Sequence, residues 1–293
     1  MKIGISCIGI AKKYGYERAF ALCRESGFDA VELNWTVYGK RDAPPDIYSA
    51  SEDQFEEHFT NIGRLAREAG LEISSTHGRD VTYTPEKEQC DYIKWVSERD
   101  LKATALVGAP ACVIHSIVIT HWKDRPADDA EFFYRKNTEL FHDVLPFAEA
   151  NNVKIGMETY AVSFFAQADH IKRQLELLNS KNMTVCIDTG HTNVHNKQGG
   201  LSPADMIRAF GKDVSILHLH DNGGTSDMHA PPICDRRGCV DWPDVFDALE
   251  EIGYTGSYNF ELRFNFYRDA MEDAVRFYGK WLRYFVENKG RTY

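Results

Sequence analysis

The amino-acid sequence predicts an α/β chain folded as one (β/α)8 TIM barrel, and three observations carry that expectation. Short apolar, β-branched runs alternate eight times with longer amphipathic stretches. The first βα turn, CIGIAKKYGY, lacks the G-x-G-x-x-G that an open doubly wound sheet would place there to cradle a phosphate. Ionisable residues fall at the ends of seven of the eight strand candidates, and the C-terminal strand ends are where such a barrel carries its chemistry.

The strands are expected, in order, at KIGIS from Lys2, DAVELN from Asp29, EISSTH from Glu72, ACVIHS from Ala111, KIGMET from Lys154, TVCIDT from Thr184, VSILHLH from Val214 and SYNFEL from Ser257. Helical periodicity fills the intervals at residues 16–27, 51–69, 86–107, 128–151, 171–178, 203–210 and 242–252, and a last helix is expected over 268–286. Several of these helices end in glycine, at SGFDA, AGLEI and IGYTG, where a left-handed residue turns the chain into the next strand. There is no low-complexity tract or internal repeat, so residues 1–293 read as a single domain. A chain of 293 residues suits one barrel of about 250 residues better than two small domains.

Composition narrows the function classes. The formal net charge of −10 provides no long-range attraction for DNA or an anionic membrane, and no apolar run is long enough to span a bilayer. A cytoplasmic protein that does not act on nucleic acid or membranes is expected. The seven cysteines lack the spacing of a disulfide framework and are expected to be free thiols; Cys234 and Cys239, close together in one loop, are read as inert.

The strand ends read Glu32, His77, His115, Glu158, Asp188 with His191 beyond it, His218 with His220 and Asp221, and Glu261 with Arg263. A single histidine at such a place is ordinarily hydrogen-bonded to a neighbouring loop. Three carboxylates and several imidazoles converging on one mouth would repel or titrate unless a cation compensated them. Mixed oxygen and imidazole donors suit a divalent metal, with Mn2+ expected and Mg2+, Co2+ or Zn2+ as alternatives. Glu158, Asp188, His218 and Glu261, from four successive strands, fit one such ion and leave positions for substrate oxygens. Glu158 and Glu261 stand three strands apart and would face a substrate from nearly opposite walls.

At these residues the chain resembles the xylose isomerase-like superfamily of sugar isomerases and epimerases, which includes D-tagatose 3-epimerase-like proteins and endonuclease IV. The motifs are GFDAVELNW, IGMETY, VCIDTGHTN, ILHLHDN, the loop opening HAPPICDRRGC, and NFEL, in family order over nearly the whole chain. The resemblance implies Glu158, Asp188, His218 and Glu261 as ligands of one metal, prefers His218 to His220 because the ligand stands three residues before Asp221, and places His191 against a substrate hydroxyl. The chain departs from the family where Pro231 and Pro232 are followed by Ile233, Cys234 and DRRG, and a differently shaped substrate loop after the seventh strand is expected.

The expected reaction is sugar isomerisation or ketose 3-epimerisation through a metal-stabilised enediolate, with Glu158 and Glu261 as acid/base groups that each keep one oxygen free for the proton. Glu32, His77, His115, His229 and Arg263 are further substrate-contact candidates, with a Glu32–Arg263 ion pair across the mouth as the alternative for those two. The rival chemistries are dehydration of a keto-polyol of the inosose type and, from a different class, a phosphodiesterase acting on abasic DNA. The latter would use His77, His115, His191, Asp227 and His229 to hold two further metals. The partner expected is a small sugar or polyol, and the chain is expected to form a homo-oligomer.

Overall fold

In a computed structural model, described for residues 1–291 except 39–45, 82, 84–85, 118–128, 162 and 233–239, eight parallel strands form one sheet. They are β1 (Lys2–Ser6), β2 (Ala30–Asn34), β3 (Glu72–His77), β4 (Ala111–Val113), β5 (Lys154–Glu158), β6 (Met183–Asp188), β7 (Val214–His218) and β8 (Ser257–Phe260). Neighbours in sequence are neighbours in space and β1 also pairs with β8. The ring closes just beyond β7, where Leu219 N donates to Asn259 O at 2.8 Å and Glu261 N to Leu219 O at 3.1 Å. The (β/α)8 barrel is therefore the observed architecture, and among the described residues no helix is long and apolar enough to cross a membrane.

The helices are α1 (Ile8–Glu25), α2 (Glu52–Glu68), α3 (Lys87–Val107), α4 (Ala130–Ala150), α5 (Ala168–Leu178), α6 (Thr189–Asn196), α7 (Pro203–Phe210), α8 (Trp242–Glu251) and α9 (Met271–Glu287). Their ends follow from local chemistry. Ser51 and Gln54 form a capping box at the start of α2, and Gly27, Gly70 and Gly253 take positive φ at the turns into β2, β3 and β8. The expected start of the first helix at residue 16 coincides with a break: Gly15 has φ 76°, and a further helical segment precedes it. Helix α6 was not expected, because TGHTNVHN carries no apolar stripe; it starts because the Asp188 side chain caps the His191 N–H.

Most apolar side chains pack between the strands and the outer helices. Among the described residues a small second cluster, Ala111, Val113, Cys186 and Ile216, packs apart from that layer beside Gly156, whose missing side chain makes room for Ile216. Above it the inward positions become polar. Among the described residues Cys7, Cys23, Cys90, Cys112 and Cys186 form no disulfide, whereas the Cys234–Cys239 loop lies outside them.

Helix α2 crosses α3 closely at Gly63, where an added Cβ would lie 2.6 Å from Val107 O. Backbone cannot yield as a side-chain tip can, so Gly63→Ala should destabilise the fold by about 1–3 kcal/mol, measured as a lower urea midpoint with an unchanged m-value.

Candidate metal and catalytic site

Four side chains meet at the C-terminal mouth of the barrel. Glu158, Asp188 and His218 are the last residues of β5, β6 and β7, and Glu261 follows β8 directly. His218 Nδ1 lies 2.8 Å from Glu158 Oε1, 3.5 Å from Glu261 Oε2 and 4.0 Å from Asp188 Oδ2. One donor atom from each of the four falls within 4.8 Å of the others, and three of the four residues are buried. Three carboxylates around one imidazole nitrogen, shielded from water, form a set whose charge a divalent cation would balance, and oxygen and imidazole donors are the ligands such ions take. The residues present fit a metal.

His218 is aimed by the strands beneath it. Its Nε2 stands 2.9 Å from Glu32 Oε2, which also accepts the Ser75 hydroxyl at 2.8 Å. A carboxylate behind the far nitrogen fixes the ring and turns Nδ1 toward the mouth. Burial pulls the His218 pKa down, but Cys186, Glu32, Glu261 and Glu158 around it raise it well above the ordinary histidine value. Burial raises the Glu158 carboxyl, but His218, His115 and His77 reverse this and hold it well below the usual range.

Glu32 therefore does not stand where the sequence suggested. It lies in the middle of β2, fully buried, and faces His218 below the mouth. The alternative weighed for these two, a Glu32–Arg263 ion pair, does not form: Glu32 pairs with His218, and Arg263 approaches Asp227 Oδ2 at 3.5 Å. The oxygen of Glu158 expected to be free is also engaged. Its Oε2 is 2.7 Å from His115 Nε2 and 3.6 Å from His77 Nε2. His115 lies two residues past β4, and its other nitrogen is 3.6 Å from Asp80.

The remaining candidates surround Asp227. His229 Nε2 is 2.9 Å from its carboxylate, and the Nε2 atoms of His220 and His191 are 3.7 and 3.8 Å away. His191 Nδ1 faces Thr159 O at 2.9 Å, and its ring lies flat against Tyr160. Burial lowers the His191 pKa, but Asp188, Asp227 and Glu158 raise it to about 10. Sequence reasoning gave no role to Asp80, Ser75 or Tyr160. Ser75 and His77 share the inward face of β3 by the two-residue period, which was a usable signal, whereas Asp80 and Tyr160 lie in irregular backbone with no such pattern.

The two most specific motifs lock together. Thr189 Oγ1 donates to His220 O at 2.8 Å and accepts from His220 N at 3.0 Å, and Asn222 Nδ2 donates to Gly190 O at 2.8 Å. Asp221 is spent on structure: it accepts from Val240 N and Trp242 Nε1, tying the β7 end to α8.

Just past the end of β3, Asp100 of α3 accepts from the Tyr48 hydroxyl and, at 2.8 Å, from Arg79 N. Arg79 in turn donates to Tyr38 O at 2.8 Å, so this buried network fixes the loops after β2 and β3. Burial pushes the Asp100 pKa up to about 7, against the lowering effect of Tyr48 and Arg79.

The sequence matches the model of the xylose isomerase-like TIM barrel family over residues 20–282. No curated protein matches it. Among solved structures, a D-tagatose 3-epimerase-like protein superposes with a TM-score of 0.73 at 19% identity, covering 98% of this chain and 97% of that one. D-psicose 3-epimerase from Clostridium cellulolyticum H10, solved with D-tagatose, gives 0.73 at 17% identity, covering 97% and 99%. The IolI protein with a bound zinc atom gives 0.72 at 16% identity, covering 100% of both. At these identities the likeness is one of fold.

Because the folded-state pKa of Asp100 exceeds its unfolded value, the folded protein binds this proton more tightly, and stability from this group grows as pH falls from about 7 toward 3.8. Relative to Asp100→Asn, the parent should gain unfolding free energy across that window and show a flat difference above it, read from urea titrations at a series of pH values.

Proposed function

Since the chain belongs to the family of xylose isomerase-like TIM barrels, we propose that it is a divalent-metal-dependent sugar isomerase or ketose 3-epimerase, which moves a proton next to a sugar carbonyl. The observation that carries this reading is the convergence of Glu158, Asp188 and Glu261 on Nδ1 of His218 at the mouth. Support also comes from the structures of like fold, which include ketose 3-epimerases.

Glu158, Asp188, His218 and Glu261 would hold the metal, with Mn2+ the ion we favour. A divalent cation there would draw charge from a carbonyl and its neighbouring hydroxyl and so make the adjacent C–H acidic enough for a carboxylate to remove its proton. Glu158 and Glu261 are the acid/base pair, reaching the site from β5 and from beyond β8. His115, on Oε2 of Glu158, keeps that carboxylate anionic and oriented, so a proton arriving at Glu158 meets a base already aligned. His191, held through Nδ1 by Thr159 O, presents Nε2 to a substrate hydroxyl. His77, His229 and Arg263 line the same mouth as substrate contacts, while Glu32 acts through His218.

One set of distances favours a second reading. His77 and His115 on Glu158, and His191 and His229 around Asp227, are the residues that two further metals would require in a phosphodiesterase acting on abasic DNA. The acidic balance of the chain weighs against a polyanionic substrate. Metal content separates the two: about one ion per chain supports the sugar enzyme, whereas three tightly held zinc ions with cleavage of an abasic duplex would overturn it.

With Mn2+ present, a panel of ketoses and keto-inositols in D2O should show solvent deuterium entering next to the carbonyl. Exchange at C3 with inversion identifies an epimerase, transfer between C1 and C2 an isomerase, and loss of water a dehydratase. Glu158→Gln should lower turnover by about 10²–10⁴-fold without changing the circular dichroism spectrum; near-parental turnover would remove Glu158 from the chemistry. Dialysis against EDTA should abolish activity, and Mn2+ should restore it.

A further inference from the structure

His220 is a buried histidine for which the proposed function has no use. Its side chain is fully buried, and its Nε2 lies 2.9 Å from Asp188 Oδ1 and 3.0 Å from Oδ2. One ring face stacks on His229, with centroids 4.2 Å apart and planes 17° apart. On another side the ring meets Gly190, where a built Cβ would lie 1.9 Å from Cε1 and 2.3 Å from Nδ1. No other residue type fits at position 190 unless His220 moves.

We infer that His220 is a positioning residue for Asp188, and that residue 190 is glycine because the His220 ring needs its space. Asp188 has two demands on its carboxylate: Oδ1 caps α6 by accepting from His191 N at 2.7 Å, and Oδ2 faces His218 Nδ1. The cap alone leaves the carboxylate plane free to turn. A donor astride both oxygens removes that freedom, so Oδ2 stays directed at the mouth. The donor is itself anchored, since Thr189 fixes the backbone of residue 220 through its N–H and its carbonyl.

A neutral imidazole carries one N–H, so donation from Nε2 leaves Nδ1 bare. That agrees with the surroundings: Nδ1 is buried and has no hydrogen-bond partner among the described residues, and a proton there would be an unmet donor. The motif pair IDTGH and HLHDN thus gains a physical link, in which Gly190 of the first admits His220 of the second. A histidine that only filled space would have no need to bridge both oxygens of one carboxylate.

The inference rests on the reading of Asp188 as a metal ligand, and cobalt(II) alone is a sufficient probe. His220→Ala should bind Co2+ about 10–100-fold more weakly than the parent and alter the visible absorption of the bound ion, with His220→Gln recovering part of the loss. Gly190→Ala, which keeps every polar group, should weaken binding in the same direction by displacing the ring. Folded His220→Ala and Gly190→Ala proteins whose cobalt affinity stays within about twofold of the parent would overturn the inference alone; a parent that binds no cobalt would overturn it together with the metal reading. If the variants do not fold, nitrogen-15 NMR of the metal-free parent at neutral pH decides: an Nε2-protonated, Nδ1-bare His220 is expected, and the opposite tautomer would overturn the positioning role.

Discussion

The mouth of this barrel is organised around one nitrogen. Glu158, Asp188 and Glu261 come from three different strand ends, and each turns a carboxylate toward Nδ1 of His218. So much negative charge in a buried place is tolerable only with positive charge at its centre, whether a proton on the imidazole or a divalent ion. The neighbouring residues can be read as consequences of that requirement. Glu32 and Ser75 hold the ring from below, His115 and His77 place a nitrogen beside the Glu158 oxygen that the centre leaves over, and His220 stands against both oxygens of Asp188.

This arrangement explains why the fold and the site are hard to separate. The hydrogen bonds that close the barrel between Leu219 and the Asn259–Glu261 segment also set Glu261 beside the end of β7. Asp188 ends a strand, and its carboxylate both caps a helix and faces His218. Asp221, chemically as capable as the other acids, is withdrawn from the mouth because Trp242 and the Val240 N–H claim its oxygens. Chemical type alone does not assign a residue to the site; the partners it already has decide whether it is available.

Much of this was legible in the sequence. Strand positions followed from short β-branched runs, and the ionisable residues at their ends marked the mouth, because a barrel core excludes unpaired charge. Helix α6 was not legible, since its eight residues have no apolar face and its start depends on a cap that is also a site residue. Glu32 was misplaced by two residues along β2, a shift that keeps it on the inward face but carries it from the open mouth to the layer beneath His218. The oxygen of Glu158 occupied by His115 could not be foreseen either, because His115 lies past its strand in irregular backbone.

By itself the sequence determined the number of strands and the donor types brought to one end of the barrel. These depend on periodicity and composition, which are local properties. The tertiary structure decided which nitrogen faces which oxygen: Nδ1 of His218 toward the carboxylates and Nε2 toward Glu32, His220 astride Asp188, Arg263 beside Asp227 rather than Glu32. Those pairings join residues up to 186 positions apart in the chain. Their geometry follows from strand stagger, ring closure and the space left by glycine at position 190, none of which a local pattern encodes.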